Sequence, residues 1–264
     1  IIHDSAATTG ISVCIRKSPP VIRNTISGMI KDKYCPTDIL MLLINCVTAG
    51  MNFVIGGEPG SGKTEFVKFL MQFIPLEKRV ITIEDSLEIH YSEINPDADA
   101  VELRVGEDFS YTDAIKACLR QNPMWLVLSE ARSVEVTSLI EQWSTGVNGI
   151  TTIHLDDLRK LPDRIENMMN DVNDASRLEN RIYRYVNVGV LIRREKEADG
   201  GIRRYIDQMC FYVREEHKNR VYMLVEDGEI ISRKIPADIA KRLKLAGIDE
   251  FFWCDLDPFI KRGM

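Results

Sequence analysis

The stretch GGEPGSGKTEF, residues 56–66, constrains the fold of this chain more than any other part of its sequence. It matches the pattern G-x-x-x-x-G-K-[ST], in which a glycine-rich turn joins a strand to a helix. The four positions that satisfy the pattern are Gly57, Gly62, Lys63 and Thr64. The apolar run before it, residues 52–55, predicts a buried parallel strand. After it, apolar residues recur at helical spacing from 66 to 74 and stop at Pro75, which predicts a helix.

The chemistry of this loop follows from its backbone. Inward-pointing N–H groups, from about Gly60 to Thr64, and the N-terminus of the following helix together attract phosphate oxygens. We expect Lys63 to bridge the β and γ phosphates and the Thr64 hydroxyl to take one position on Mg2+. A glycine turn that binds nothing is the alternative, and the flanking strand and helix argue against it. The cofactors predicted are therefore ATP and Mg2+. The loop residues predicted to bind them are Gly57, Gly60, Ser61, Gly62, Lys63, Thr64 and Glu65.

Composition narrows the class of protein. A chain of 264 residues with 45% hydrophobic content can bury one large core or two modest ones. The net charge of −6 argues against a general nucleic-acid binder. The six cysteines are scattered and form no C-x-x-C pair, which favours reduced thiols in the cytosol over a zinc site or a disulfide framework. The longest apolar stretch, residues 39–47, is too short to span a bilayer and contains Asn45.

The first residues resemble the end of a larger unit, because the chain begins at Ile1 and shows no charged-then-apolar leader. Residues 11–15 alternate like a strand, and Pro19 and Pro20 interrupt the pattern. We therefore expect residues 1–35 to be the end of an N-terminal domain and its linker. Residues 36–264 are expected to form one ATPase domain.

The remaining pattern predicts an α/β fold with a mostly parallel sheet covered by helices. The predicted helices of this part are 37–48, with Thr37 as its cap, 110–121, opened by Ser110, 134–144 and 157–170. The predicted strands are 52–55, 80–83, 100–105, 124–128 and 149–153.

The pattern changes after residue 175. A helix near 175–185 precedes three long alternating runs, 186–193, 202–213 and 220–225, which predict antiparallel strands. A last helix is predicted over 236–245. The charge-rich segment RREKEADGGIRR is explained by a solvated hairpin.

Carboxylates and a histidine follow three of the predicted strands. Glu130 ends the apolar run in MWLVLSEAR, at the edge of the sheet where the P-loop also lies. Glu84, Asp85 and Glu88 cluster in ITIEDSLEIH and could bind metal or orient a nucleophile. His154 ends the run in GITTIHLDD and could donate to a phosphate. The alternatives are a surface glutamate for Glu130, a solvated turn for the acidic cluster and a structural cap for His154.

Taken in order, these motifs resemble the secretion ATPase superfamily, the hexameric motors of type II secretion, type IV secretion and type IV pilus systems. The loop GGEPGSGKTE, the acidic box ITIEDSLEI, the region LRQNPMWLVLSEAR and the histidine box TTIHLDD carry the resemblance. It is closest to the VirB11-like and CpaF/TadA-like branch, since the four-cysteine zinc module typical of the general-secretion branch is absent from the sequence. The resemblance implies a RecA-like P-loop ATPase core with C-terminal antiparallel strands, preceded by an N-terminal domain.

The resemblance also implies roles for individual residues. Lys63 and Thr64 match the phosphate and magnesium positions of the Walker A loop. Glu88 matches the acidic-box glutamate near the metal, and Glu130 matches the glutamate that activates water. His154 matches the residue that senses the γ-phosphate. The implied catalytic set is thus Glu130, Glu88, His154 and Lys63, and the implied Mg2+ positions are Thr64, Glu88 and Glu130, partly through water.

Five arginines are further candidates implied by the same resemblance. Arg104, Arg120 and Arg132 match family arginines that couple the nucleotide site to a neighbouring subunit. Arg16 and Arg23, in the linker, are weaker candidates for contacting nucleotide. An exposed surface arginine is the alternative for each.

Three departures from the family pattern lead us to expect slow activity. Ser129 stands where glycine is common, Met124 and Trp125 replace an Asp-Arg pair, and Glu65 adds a negative charge beside the loop. The implied assembly is a homo-hexamer that works with inner-membrane secretion or pilus components at the cytoplasmic face, with peripheral membrane association and no direct nucleic acid. A nucleotide-gated scaffold and a RecA-type DNA motor are the alternatives.

Overall fold

The computed structural model describes residues 2–3, 5–6, 8–15, 17–168 and 175–260. Within these ranges the strands form a single nine-stranded sheet. Its strands are β1 (Phe53–Gly57), β2 (Val80–Glu84), β3 (Ala100–Arg104), β4 (Trp125–Leu128), β5 (Asn148–Ile153), β6 (Val188–Lys196), β7 (Ile202–Glu215), β8 (Lys218–Glu226) and β9 (Glu229–Ile230).

The helices are α1 (Ile26–Lys31), α2 (Thr37–Thr48), α3 (Lys63–Met71), α4 (Tyr91–Ile94), α5 (Tyr111–Cys118), α6 (Glu135–Ser144), α7 (Leu161–Glu166), α8 (Ala175–Tyr185), α9 (Ala237–Leu245) and α10 (Asp257–Ile260). A short 3-10 helix, Leu158–Lys160, precedes α7. In the described part of the chain, no helix is both long and apolar enough to cross a membrane.

The strand order is β3-β2-β4-β5-β1-β6-β7-β8-β9. All pairs from β3 to β6 are parallel, and β6 to β9 pair antiparallel. This arrangement confirms the predicted mostly parallel sheet with C-terminal antiparallel strands. It places the carboxyl ends of β1, β2, β4 and β5 at one edge, where ligands bind in open α/β sheets.

The sheet is buried on both faces because successive apolar residues of its central strands point to opposite sides. Phe53 and Ile55 of β1 join a core with α2 and α3, whereas Val54 joins a second core with α5, α6 and α8. Trp125 of β4 faces the first core and Leu126 the second. This two-sided burial explains the continuous apolar runs and holds the loops at the carboxyl edge on a rigid base.

The N-terminal segment differs from its prediction. Residues 11–15 form no strand in the described part, apart from an isolated bridge between Ser12 and Ile2. Ile11, Val13 and Ile15 are exposed, and no neighbouring strand completes their pairing. An alternating pattern without a partner does not make a stable strand.

Two predicted helices also differ. Pro36, not Thr37, is the N-cap of α2, and no side chain caps that end. The helix predicted over 157–170 is a 3-10 turn followed by α7, which ends at Glu166. The side chain of Asp157 accepts a hydrogen bond from the Arg159 N–H, and Pro162 then starts a new helix, as proline does in a first turn. Positions 169 and 170 lie outside the described residues.

Helix α5 begins as predicted, with Ser110 as its N-cap. The Ser110 hydroxyl accepts from the Asp113 N–H, and the Asp113 carboxylate accepts from the Ser110 N–H. This reciprocal capping box satisfies two otherwise unpaired donors. The helix ends at Cys118, three residues before the predicted end.

Candidate nucleotide site

The loop between β1 and α3 is a tight turn that needs glycine. Gly57 has φ 148° and Gly62 has φ 96°, both in the region that disfavours side chains. A Cβ at Gly57 would lie 2.6 Å from the Ile192 carbonyl oxygen and 2.6 Å from Ser61 Oγ. Since β1 is fully buried and α3 starts at Lys63, the loop is fixed at both ends.

Lys63 folds back across this loop. Its Nζ donates to the Gly57 carbonyl oxygen at 2.9 Å and to the Glu58 carbonyl oxygen at 3.0 Å. His154 Nδ1 lies 3.3 Å from the same Nζ. Only 8% of Lys63 is exposed, so its charge is held inside the loop rather than in solvent.

Glu130 and His154 meet because β4 and β5 are parallel neighbours and each residue follows the carboxyl end of its strand. His154 Nε2 lies 2.9 Å from Glu130 Oε1. Arg132 Nη2 donates to Glu130 Oε2 at 2.8 Å, and Arg132 Nη1 donates to Asp85 Oδ2 at 2.9 Å. Contacts therefore run without interruption from the P-loop lysine through His154 to Glu130.

The charge state of Glu130 depends on two opposing effects. Burial raises its pKa, but the hydrogen bond and positive charge of Arg132, with the charges of His154 and Lys63, outweigh burial. The net result is a pKa below the ordinary glutamate value. Glu130 is thus an ionised carboxylate that can accept a proton or a metal-bound water.

Glu84 organises the acidic segment. It ends β2 with no exposed surface, and its Oε2 accepts from the Glu88 N–H at 3.0 Å and the Ile89 N–H at 3.1 Å. Burial raises its pKa above the ordinary value, although these two donors act in the opposite sense. Glu84 therefore shapes the turn that carries Glu88 to the site.

A cavity of about 490 Å³ opens in front of the loop. This volume is in the range of small-molecule sites. Predicted residues that line it are Arg23, Gly60, Gly62, Lys63, Thr64, Glu65, Glu88, Glu130, Arg132 and His154. The structure therefore brings most of the predicted set together.

The other predicted residues lie elsewhere. Gly57 and the fully buried Ser61 belong to the turn itself and are not among the lining residues. Arg104 and Arg120 are exposed and are not among the lining residues, so in this chain they do not contribute to the cavity. Arg16 lies outside the described residues.

Several lining residues were missed by sequence reasoning, among them Tyr34 and Arg204. Tyr34 precedes α2, and Arg204 lies on β7, where its Nε and Nη2 are each 3.4 Å from the Gly60 carbonyl oxygen. Arg204 is 144 residues from Gly60, and its charge-rich segment is equally typical of a solvated hairpin. The local sequence around Arg204 therefore did not predict its contact with the P-loop.

The structure accommodates the three departures from the family pattern. Ser129 Oγ lies 3.1 Å from the Tyr111 hydroxyl, which also accepts from the Asp85 N–H. Trp125 is buried in the first core. Glu65 has a cationic neighbour, since its Oε1 is 3.7 Å from Lys68 Nζ.

Comparison with known proteins identifies the family. Residues 8–189 match the family described as type II/IV secretion system protein. The chain belongs to this family. An uncharacterized protein of Bacillus anthracis is 38% identical over 146 residues, which are 54% of this chain and 33% of that protein. The type IV secretion system protein VirB11 of Brucella suis is 29% identical over 187 residues, 66% of this chain and 51% of that protein. The chain thus spans a third to about half the length of these relatives.

Solved structures of related architecture support the fold. The VirB11 ATPase of the Brucella suis type IV secretion system, in complex with sulphate, aligns with a TM-score of 0.56 at 23% identity, covering 74% of this chain and 65% of that one. The pilus retraction motor PilT with bound ADP aligns with a TM-score of 0.60 at 20% identity, covering 87% and 58%. The RecA-like secretion ATPase fold and the predicted resemblance are confirmed.

Proposed function

We propose that this chain is the ATPase part of a Mg2+-dependent motor for a bacterial-type secretion machine, in type IV secretion, conjugative transfer or pilus assembly. The observation that carries the proposal is the contact chain from Lys63 through His154 to Glu130, beside a cavity of nucleotide size. It joins the group that holds the phosphates to the group that activates water. Family membership supports the same chemistry.

The residues present fit the cofactors. The left-handed glycines keep side chains out of the turn, so its backbone can approach phosphates, and Lys63 supplies the opposing charge. Thr64 and Glu88, which both line the cavity, would hold Mg2+ together with phosphate oxygens and water. When bound, Mg2+ neutralises charge that develops on the transferred phosphate.

Glu130 is proposed as the base that takes the proton of the attacking water. Both of its oxygens are occupied, one by Arg132 and the other by His154. Each carboxylate oxygen can accept a second hydrogen bond, so a lone pair remains on each for the attacking water. A γ-phosphate that attracts Arg132 or His154 would give this water more room and leave Glu130 more basic.

The same occupied carboxylate favours a second candidate, a nucleotide-gated scaffold with little hydrolysis. If the contacts of Glu130 with Arg132 and His154 persist after ATP binds, they keep the pKa of the carboxyl group low and weaken it as a base for the water proton. The two functions differ in turnover, not in binding.

Phosphate release from Mg-ATP tests the proposal in the wild type, Lys63→Ala and Glu130→Gln. We expect Glu130→Gln to bind nucleotide and to lose turnover by about a hundredfold or more, because a general base is removed. Lys63→Ala should lose binding as well. Glu229→Gln is a matched control, since Glu229 is exposed on β9, away from the cavity.

The possible results separate the candidates. Unchanged turnover in both site variants would contradict the site assignment. Tight ATP binding without phosphate release in the wild type would favour the scaffold.

We further propose a homo-hexamer that associates peripherally with inner-membrane components from the cytoplasmic side. The support is the family of the chain and its relation to VirB11. Residues 36–264 are proposed as the ATPase domain, and residues 1–35 as the end of a preceding domain and its linker.

A further inference from the structure

Two arginines of the β6–β7 hairpin cover the P-loop turn. Arg194 and Arg204 stand directly opposite each other in the antiparallel register. A Cβ on Gly60 would lie 2.9 Å from Arg194 Nη1, and a Cβ on Gly62 would lie 3.1 Å from Arg204 Cδ. Both side chains therefore pack on the loop that is proposed to hold phosphate.

Neither guanidinium has a carboxylate partner within salt-bridge distance among the residues that the structure describes. The neighbouring Arg193, by contrast, is paired with Asp207 at 2.5 Å. Like charges placed opposite each other on adjacent strands are unfavourable. An anion in front of Arg204 would relieve this repulsion and occupy a planar group with five donors.

Tyr34 adds a second, independent observation on the same side of the cavity. Tyr34 lines the cavity and is only 6% exposed, and its buried hydroxyl has no hydrogen-bond partner in the described part of the chain. Burial raises the pKa of this hydroxyl, and the nearby charge of Arg204 offsets only part of that effect. It is thus a neutral O–H donor that lacks an acceptor, a rare state for a buried polar group.

The carboxylates of the cavity and Arg204 also come from opposite sides of β1 in the sheet order. Glu88 and Glu130 follow β2 and β4, on one side of β1, whereas Arg204 comes from β7 on the other side. The acidic side suits a cation and the basic side suits an anion. A nucleotide with its metal offers both.

We propose that Arg204 binds phosphate oxygens of the nucleotide, with Tyr34 donating to the same group, from the side of the loop opposite Glu130. This inference rests on the proposed function and adds an anion-binding pair from the same subunit. A guanidinium can hold two phosphate oxygens at once, which a lysine cannot do.

Displacement of a fluorescent ADP by tripolyphosphate, ADP or adenosine tests the pair in Arg204→Ala, Arg204→Lys and Tyr34→Phe. Arg203→Ala is the matched control. It removes the same charge from the adjacent position of β7, where Arg203 stacks on Tyr205 at 4.8 Å and does not line the cavity. Melting temperatures confirm that each variant folds.

For Arg204→Ala we expect tripolyphosphate and ADP to bind about tenfold or more weakly, since a hydrogen bond to a charged group is lost. Adenosine, which has no phosphate, should compete equally in all variants. Arg204→Lys should recover part of the loss, and Tyr34→Phe should weaken tripolyphosphate by a smaller factor. Arg203→Ala should match the wild type.

Other outcomes overturn the inference at different levels. Equal tripolyphosphate affinity in Arg204→Ala and Arg203→Ala, with normal binding by the wild type, would remove Arg204 from the phosphate site and leave the proposed function intact. A loss of adenosine competition would place the pair at the nucleoside instead. A wild-type protein that binds no nucleotide would overturn both proposals.

Discussion

Glu84 is a carboxyl group in an environment that disfavours its charge. It has no exposed surface, and its Oε1 has no hydrogen-bond partner in the described part of the chain. Burial outweighs the two backbone donors on Oε2 and raises its pKa above 4.5. The native state therefore keeps this proton at pH values where the unfolded chain has released it.

The expected consequence is a pH-dependent stability. When the pKa of a group is higher in the native state than in the unfolded chain, its full contribution to stability is present below the unfolded-state pKa. This contribution is lost as the pH rises through the native-state pKa. Glu84→Gln cannot ionise. Its melting temperature relative to the wild type should therefore shift in favour of the variant as pH rises from about 4.5 to about 8.

Thermal unfolding across this pH range, compared with Glu229→Gln, measures the shift. The Glu229→Gln curve should remain parallel to the wild type, because Glu229 is exposed. A Glu84→Gln curve that is parallel too would show that the native pKa of Glu84 is not raised.

Individual residues of the site differ in whether the sequence alone could predict their position. Glu130 and His154 could be placed because each follows an apolar strand, and parallel strands bring such ends together. Tyr34 and Arg204 could not, because their positions at the cavity depend on how the antiparallel hairpin folds over the loop. That packing has no local signal.

Among the elements, α2 illustrates how a polar residue can be explained only by the tertiary structure. Nearly all of this helix is buried, including Asn45, which is 4% exposed. Asn45 Nδ2 donates to the Trp253 carbonyl oxygen at 2.7 Å and to the Phe251 carbonyl oxygen at 3.0 Å. The partners are more than 200 residues away in sequence, so the helix is predictable and its contact with the C-terminal segment is not.

Asn45→Ala should destabilise the protein by about 1–3 kcal/mol, because the carbonyl groups of the C-terminal segment lose their donor. Urea unfolding measures the loss, and hydrogen exchange of residues 248–256 should become faster. Asn95→Ala is the control, since Asn95 Nδ2 donates to the Tyr91 carbonyl oxygen, one turn away in the same part of the chain. Equal effects of both substitutions would contradict a role for Asn45 in holding this segment.

At the scale of the whole molecule, alternation of strands and helices predicted the class of sheet but not its order. The order β3-β2-β4-β5-β1 places the P-loop strand beside β5 and two strands from β4. The strand order depends on which faces of the helices and strands pack together. Those contacts join residues that are distant in sequence. The exposed residues 11–15 show the converse, a local strand pattern that forms only an isolated bridge, between Ser12 and Ile2, in the described chain.

Arg104 and Arg120 lie outside the cavity and are exposed, so a role in nucleotide hydrolysis would require the neighbouring subunit of the proposed hexamer. In the proposed hexamer, heterologous contacts would join different surfaces of neighbouring copies. We propose that Arg120 of one copy acts at the P-loop of the next. The Lys63→Ala variant keeps Arg120 but has an inactive P-loop. The Arg120→Ala variant keeps a functional P-loop but lacks the arginine. In rings mixed at random, half of the subunits have a functional P-loop, and half of those subunits have a neighbour that keeps Arg120. About a quarter of wild-type turnover should therefore return.

Phosphate release from equal mixtures of the two inactive variants measures this recovery. The control mixture is Lys63→Ala with Glu130→Gln, which should recover nothing, because both changes lie in the same site of one subunit. Full activity of Arg120→Ala alone would contradict any role for Arg120. If Arg120→Ala is inactive and mixing with Lys63→Ala restores no turnover, Arg120 acts within its own subunit. Recovery in the first mixture only would mean that the site is completed between copies, and turnover of the wild type should then rise faster than linearly with protein concentration.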